Sequence, residues 1–247
     1  MGRRSYLKRA EARLASERVR KVLVGSAVVT LLLYWIPFGR FVAYPLLLLS
    51  TLVHELGHGV TAELVGGNFE RFQMFADGSG AAIHTGTPEG VRQALVAAGG
   101  LVGPALLAGL GFLFVRSSKA SRVFLGALAL AFVAAELLVV RNAFGAVFVG
   151  LVILGLGWFA AKRNPEAPQV ALAFVSVQLA ASVFSRGDYL FKEYADTSLG
   201  RLPSDVTHIA LALGGPYWMW GLIVGAVSVA IVALGLWWAL RAPRVRR

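Results

Sequence analysis

The sequence predicts an all-α protein, a polytopic bundle of about six to seven transmembrane helices. Of its 247 residues, 57% are hydrophobic and only 15% are charged, and the mean hydropathy is +0.68. A water-soluble domain would carry about 25% charged residues. Apolar stretches close to the roughly 20 residues that a helix needs to cross a bilayer recur along the chain. They are predicted at 22–38, 41–65, 93–115, 123–140, 143–161, 168–185 and 216–240.

Basic residues are concentrated at the two ends of the chain. Residues 1–21 mix basic and apolar positions at helical spacing, which predicts an amphipathic segment on the membrane surface, and residues 241–247 form a basic tail. Between them, residues 22–240 are expected to form one membrane-embedded domain. The formal net charge of +11 is explained by basic loops and anionic headgroups. The lipid bilayer is therefore the expected partner, and nucleic acid is not.

The predicted spans are interrupted by a polar, Gly-rich stretch at residues 66–92. It predicts a short hairpin or a re-entrant loop that follows the second span. Counting spans places the basic clusters after residue 115 on one side of the membrane and residues 1–21 on the other, which conflicts with the usual charge bias. Either residues 41–92 cross an odd number of times, or one span is re-entrant.

A metal-binding signature, His54-Glu55-Leu56-Gly57-His58, lies inside the second predicted span. On a helix, two His four residues apart share one face, so both rings can reach a single Zn²⁺. Glu55 is then placed to act as a general base toward the attacking water. The sequence has no cysteine, so any further ligand must be a His or a carboxylate. Ionisable groups within a span usually mark a functional site.

The motif and its flank resemble the start of the M50 metallopeptidases, the site-2 protease group of intramembrane zinc proteases, and most closely the compact bacterial M50B-like branch. The resemblance runs from about residue 41 to 240. Further similar segments are Asp77-Gly78-Ser79-Gly80, Gly99-Gly100-Leu101-Val102-Gly103-Pro104, Arg141-Asn142-Ala143-Phe144-Gly145 and Ser204-Asp205-Val206. The resemblance implies a Zn²⁺-dependent peptidase that cuts membrane-embedded or membrane-adjacent polypeptides. It also implies an integral protein of the bacterial inner membrane.

The third zinc ligand departs from the family pattern. The resemblance implies an Asp on a later helix, within an N-x-x-P…L-D-G segment, whereas Asn142 has no Asp after it. Asn142 is expected to bind a substrate backbone, to orient a ligand or simply to cap a helix. Asp205 is the first choice as ligand, since it begins a helix that leads into the last span and matches the Ser-Asp pair of the family. Asp188 and Asp77 are the alternatives.

Other polar residues carry weaker expectations. His208 lies three residues after Asp205 on the same helical face, so the two are expected to approach the metal together, unless Asp205 merely caps the helix. Glu136 is expected to pair with Arg141, or to face the cavity. His84 is expected at the surface.

Two other functions remain as alternatives. A non-proteolytic membrane binder or regulator on the same scaffold is motivated by the missing L-D-G Asp. A small transporter would use Glu136 and the Asp residues, although no inverted repeat is visible in the sequence.

Overall fold

The computed structural model describes residues 3–185, 190–197 and 200–241. Within these residues the fold is a helical bundle with two small antiparallel sheets, which confirms the predicted all-α class and the hairpin. The helices are α1 (Arg3–Trp35), α2 (Gly39–Leu64), α3 (Val91–Phe114), α4 (Ser118–Leu138), α5 (Ala143–Ala161), α6 (Glu166–Ser185), α7 (Asp205–Leu213) and α8 (Tyr217–Leu240). The strands are β1 (Asn68–Met74), β2 (Gly80–Thr85), β3 (Tyr194–Thr197) and β4 (Gly200–Pro203).

Five helices of the described part are long and apolar enough to cross a membrane: α3, α4, α5, α6 and α8. Large apolar side chains on their outer faces are exposed, as at Leu130, Leu151 and Leu234. Such faces suit contact with lipid, because acyl chains are as apolar as the side chains themselves. The chain is therefore an integral membrane protein. Helices α1 and α2, which correspond to the first two predicted spans, are not among the five.

The amphipathic segment and the first apolar stretch, expected to be separate, form the single helix α1. The helix continues through Arg20 and Lys21, which are good helix formers, and ends at Trp35 before Pro37. Phe38 has a left-handed backbone with φ of 65°, and this turn starts α2 at Gly39.

The hairpin β1–β2 folds back along α2. Gly67 donates its N–H to the carbonyl of Ala62 near the end of α2, and Asn68 is paired with Thr85 at the open end of the hairpin. At its tip, the Tyr44 hydroxyl donates to the carbonyl of Ala76 at 2.6 Å. The chain therefore enters and leaves the hairpin beside the same end of α2.

Glycines bring α3 into close contact with α2. A Cβ added at Gly57 would lie 2.4 Å from the carbonyl oxygen of Gly99, and one added at Gly99 would lie 2.1 Å from Oγ1 of Thr61. Small residues at a membrane helix interface let two backbones approach in this way. This packing places α3 directly against the His54–His58 face of α2.

Helix α7 is fixed against the bundle by an apolar cluster and by its cap. Ile209, 2% exposed, packs with Ala94 and Ala97 of α3 and with Val224 of α8. Ser204, the N-cap residue, accepts from the backbone N–H of Thr207 and donates to the carbonyl of Lys192. These contacts hold the first turn of α7, where Asp205 lies, at a defined position.

Candidate metal centre

Three donor atoms from two helices converge at the centre of the bundle. Nε2 of His54 lies 3.1 Å from Nε2 of His58 and 3.1 Å from Oδ2 of Asp205, and the His58–Asp205 distance is 3.4 Å. Ligands of a tetrahedral zinc, at about 2.0–2.1 Å from the ion, are roughly 3.3 Å from one another. Two imidazoles and one carboxylate are also a donor set of catalytic zinc sites. The arrangement therefore fits a zinc ion held by three protein ligands.

The other ring nitrogen of His58 is anchored on α3. Nδ1 of His58 lies 2.8 Å from the carbonyl oxygen of Val96, to which it donates. This hydrogen bond fixes the ring so that Nε2 is directed toward the other two donors, as the outer hydrogen-bond partners of ligands do in metal sites. The contact requires close helix packing, because a Cβ at Gly100 would lie 2.1 Å from Nε2 of His58.

Glu55 lies beside the three donors in a cavity of about 330 Å³. A Cβ added at Gly80 would lie 2.7 Å from Cγ of Glu55, so the glycine lets strand β2 pass close to this side chain. The cavity is bounded by α2, β2, α3, the β3–β4 sheet and α7. Glu55 and the donor group thus face one space large enough for a short peptide segment.

The carboxylate of Asp205 is held in its charged form. Burial alone would raise the pKa of this group, but the imidazoles of His58 and His54 oppose burial and hold the pKa well below its usual range. An anionic carboxylate is the form that binds a metal ion. Asp205 is not the N-cap of α7, since Ser204 has that role.

Asp77, one of the two alternative ligands, is not in this group. Oδ1 of Asp77 accepts from the backbone N–H of Ser79 at 2.9 Å and from its hydroxyl at 2.7 Å, which is the geometry of a turn at the hairpin tip. Asp188 lies outside the described residues. Among the residues described, Asp205 is the carboxylate that joins the two His.

Asn142 has a contact that the sequence did not indicate. Its amide nitrogen donates to the carbonyl of Met74 at 2.6 Å, and its amide oxygen accepts from the N–H of Met74 at 3.2 Å. The neighbouring backbone continues this pairing, because Phe72 donates to Val139 and accepts from Arg141. Asn142 does not cap α5 through its side chain. It ties the outer edge of β1 to the α4–α5 loop.

His208 and His84 line the same cavity without joining the donor group. His208 therefore lies at the cavity wall near Asp205, where a substrate-binding or outer residue was expected, and is not one of the three donors. His84, expected at the surface, instead lies on β2 with Nδ1 3.1 Å from the Thr87 hydroxyl. Burial lowers the pKa of His84, and so do the charges of His58 and His208. His84 is thus held neutral, as a hydrogen-bonding rather than a charged group.

The expected Glu136–Arg141 ion pair is wrong. The Arg141 guanidinium donates to carbonyls at the end of α4, including that of Val140 at 2.8 Å, which satisfies the helix terminus. One carboxylate oxygen of Glu136 is buried without a hydrogen-bond partner among the described residues. Glu136 is also absent from the cavity lining, so the alternative of a cavity-facing acid does not hold either.

Sequence reasoning missed three parts of the site: the Val96 carbonyl, the place of Gly100 under His58, and His84 in the cavity. A backbone carbonyl leaves no mark in a sequence. The pair Gly99-Gly100 was noted in the sequence, but nothing there indicated that Gly100 leaves room for His58 against α3. His84 lies in a stretch whose residues alternate as in a β-strand, and the prediction of a loop did not use this alternation.

The fold and the site define a class: an integral membrane protein with a His-His-Asp group that could hold a metal ion and an adjacent Glu. The chain belongs to the Peptidase M50B-like family, whose model matches residues 24–235. This confirms the resemblance seen in the sequence, and the family suggests a membrane metallopeptidase. No curated protein and no solved structure matches the chain.

Proposed function

We propose that this protein is a zinc-dependent endopeptidase that cleaves a peptide bond in or near a transmembrane segment of another protein. The observation that carries the proposal is the convergence of His54, His58 and Asp205 beside Glu55 in one cavity. Membership of a peptidase family supports it. Zinc, when bound by the three residues, supplies Lewis-acid activation of a water and of the substrate carbonyl.

The side chains of the cavity have distinct roles in the proposed reaction. Glu55 accepts the proton of the attacking water and returns it to the leaving amine as the peptide bond breaks. His58, fixed by Val96, and His54 keep their Nε2 atoms directed at one point. Asp205 contributes the negative charge of the site. Each of these roles belongs to a group that lies within the cavity or at its wall.

The cavity suits an extended peptide, because strand β2 forms part of its wall. Its volume of about 330 Å³ can hold a few residues. Among the described strands, β2 is paired only with β1, and Gly80, Ala81 and Ala82 of β2 line the cavity as small residues. We therefore propose that a membrane-protein substrate unwinds locally before it is cut, within the inner membrane of a bacterium.

The experiment compares two Glu→Gln variants of the same helix. Purified wild type, Glu55→Gln and Glu63→Gln are reconstituted with a panel of labelled single-span membrane polypeptides. Glu63 is the matched control, because its carboxylate accepts from the N–H of Phe69 outside the cavity. We expect Glu55→Gln to bind zinc but cleave nothing, and Glu63→Gln to cleave at a rate close to that of wild type.

Cleavage by Glu55→Gln at the wild-type rate would contradict the assigned base. Zinc binding by the wild type without cleavage of any polypeptide in the panel would favour a non-proteolytic binder. That alternative was motivated by a missing carboxylate, and Asp205 lies where such a carboxylate is needed, so the peptidase is the better supported function.

A further inference from the structure

A second, smaller cavity lies against His54. Its volume is about 30 Å³, and its lining includes the serines Ser50, Ser182 and Ser228, which come from α2, α6 and α8. Of the residues that the structure describes, His54 is the one that lines both this cavity and the larger one. The imidazole of His54 therefore separates the substrate cavity from a small polar space inside the bundle.

Ser50 has a hydroxyl whose hydrogen-bonding capacity is unused. The residue is 3% exposed, and its Oγ is buried without a hydrogen-bond partner among the described protein atoms. A buried hydroxyl is costly when it is left in this state, so native structures usually provide a partner or a water. Ser50 precedes His54 by four residues, which places both side chains on one face of α2.

The cavity has room for a water molecule. Its volume of about 30 Å³ exceeds the roughly 10–15 Å³ that a water requires, and a buried water needs two to four polar partners. The polar residues of the lining are Ser50, Ser182, Ser228 and His54, and the apolar ones are Leu101, Pro104, Val183 and Leu190.

The two His of the metal centre differ in how their second nitrogen is held. Nδ1 of His58 donates to the Val96 carbonyl. For Nδ1 of His54, the described residues offer no hydrogen-bond partner. A His that binds a metal almost always donates its other N–H to a carboxylate, a carbonyl or a water, and this contact fixes the ring.

We propose that the small cavity binds one structural water, which accepts from Nδ1–H of His54 and donates to the Ser50 hydroxyl. Ser50 is then a positioning residue: it acts through the water to orient the His54 ring, as Val96 orients that of His58. The consequence for zinc rests on the proposed metal site, but the water site itself does not.

The test uses two variants of equal shape at position 50. Ser50→Thr keeps a hydroxyl, whereas Ser50→Val replaces it with a methyl group, so packing changes are matched and only the hydrogen bond differs. Ser176→Ala is the control, since Ser176 is an equally buried serine whose hydroxyl donates to the carbonyl of Leu172. The zinc dissociation constant is measured by competition with a chelator, and the melting temperature of the metal-free protein is measured beside it.

We expect Ser50→Val to bind zinc about 10-fold more weakly than Ser50→Thr. This is the lower end of the about 10–100-fold loss of metal affinity that follows when a ligand loses its outer hydrogen-bond partner. Ser176→Ala should match wild type in zinc affinity. Equal dissociation constants for the Thr and Val variants at similar melting temperatures would overturn the role of Ser50. If the wild type itself binds no zinc, the proposed metal site is wrong. The proposed water site is then tested by a second measurement, which needs no zinc.

That measurement is the ¹⁵N spectrum of the His54 ring in metal-free wild type, so it needs neither a variant nor zinc. The proposal predicts a bound water in magnetisation exchange with the Nδ1 edge of the ring. A ring without a water contact at this edge would overturn the proposal.

Discussion

Oδ2 of Asp205 lies 3.1 Å from Nε2 of His54, although one residue begins the short helix α7 and the other lies within α2. The contact depends on α3, because α2 packs on one side of it through glycines and α7 packs against it through Ile209. The carboxylate therefore reaches the two His only when the helices of the bundle have packed together. Loss of this carboxylate should weaken metal binding without unfolding the protein.

The change Asp205→Asn should weaken zinc binding more than the loss of a hydrogen-bond partner of a ligand does, an effect of about 10–100-fold. Asp205 is proposed as a ligand itself, and an amide lacks the negative charge of its carboxylate. Competition with a chelator measures the dissociation constant. Asp77→Asn is the control of equal shape and charge change, and its side chain can keep the turn with Ser79. Equal weakening in both variants would contradict the assignment of Asp205.

Gly100→Ala should damage the metal site through His58. The new methyl group would lie 2.1 Å from the imidazole, and overpacking of this kind costs about 1–3 kcal/mol of stability. We expect weaker zinc binding and a lower melting temperature. Gly150→Ala is the control, because a Cβ there meets nothing within 4 Å. Normal zinc affinity in Gly100→Ala would show that the close contact between α3 and His58 is unnecessary.

Asn142→Ala should release the hairpin while leaving the metal ligands in place. The variant loses both hydrogen bonds to Met74, so backbone amides of β1 should exchange hydrogen faster and peptide cleavage should slow. Zinc affinity should remain near that of wild type. Asn164→Ala removes a comparable exposed bond to the N–H of Glu166 and serves as the control. Unchanged exchange in β1 would show that Asn142 does not hold the hairpin.

Removal of zinc should lower the melting temperature of the wild type, because a ligand that binds only the folded state stabilises it by about 2.7 kcal/mol at 100 times its dissociation constant. Thermal denaturation with and without a chelator measures this difference. His54→Ala should show no such response. His84→Ala should respond as the wild type does, because His84 lies in the cavity but outside the donor group.

The sequence predicted those parts of the site that depend on local spacing. His54 and His58 lie four residues apart on one helix, so their shared face follows from helical geometry alone. The role of Glu55 follows from the same spacing. The helix of Asp205 was also predictable, since Ser204 precedes an apolar periodic stretch and does cap it.

Long-range contacts decided the remainder. Local sequence ranks Asp205 ahead of Asp77, but Asp205 reaches the two His only because α7 packs against α3, and the pairing of Asn142 with Met74 joins segments far apart in the chain. Glu136 and Arg141 lie five residues apart across the end of α4, and the carbonyls there bind the guanidinium instead. Spacing along a helix gives proximity, whereas the choice among partners depends on which backbone groups need a donor.

X-ray absorption at the zinc edge of the zinc-loaded wild type and of Asp205→Asn tests the ligand set most directly. The account predicts, for wild type, one zinc per chain with two imidazole nitrogens and carboxylate oxygen at about 2.0–2.2 Å, and a changed oxygen shell in the variant. A spectrum without two imidazoles, or identical spectra for the two proteins, would contradict a centre built by His54, His58 and Asp205.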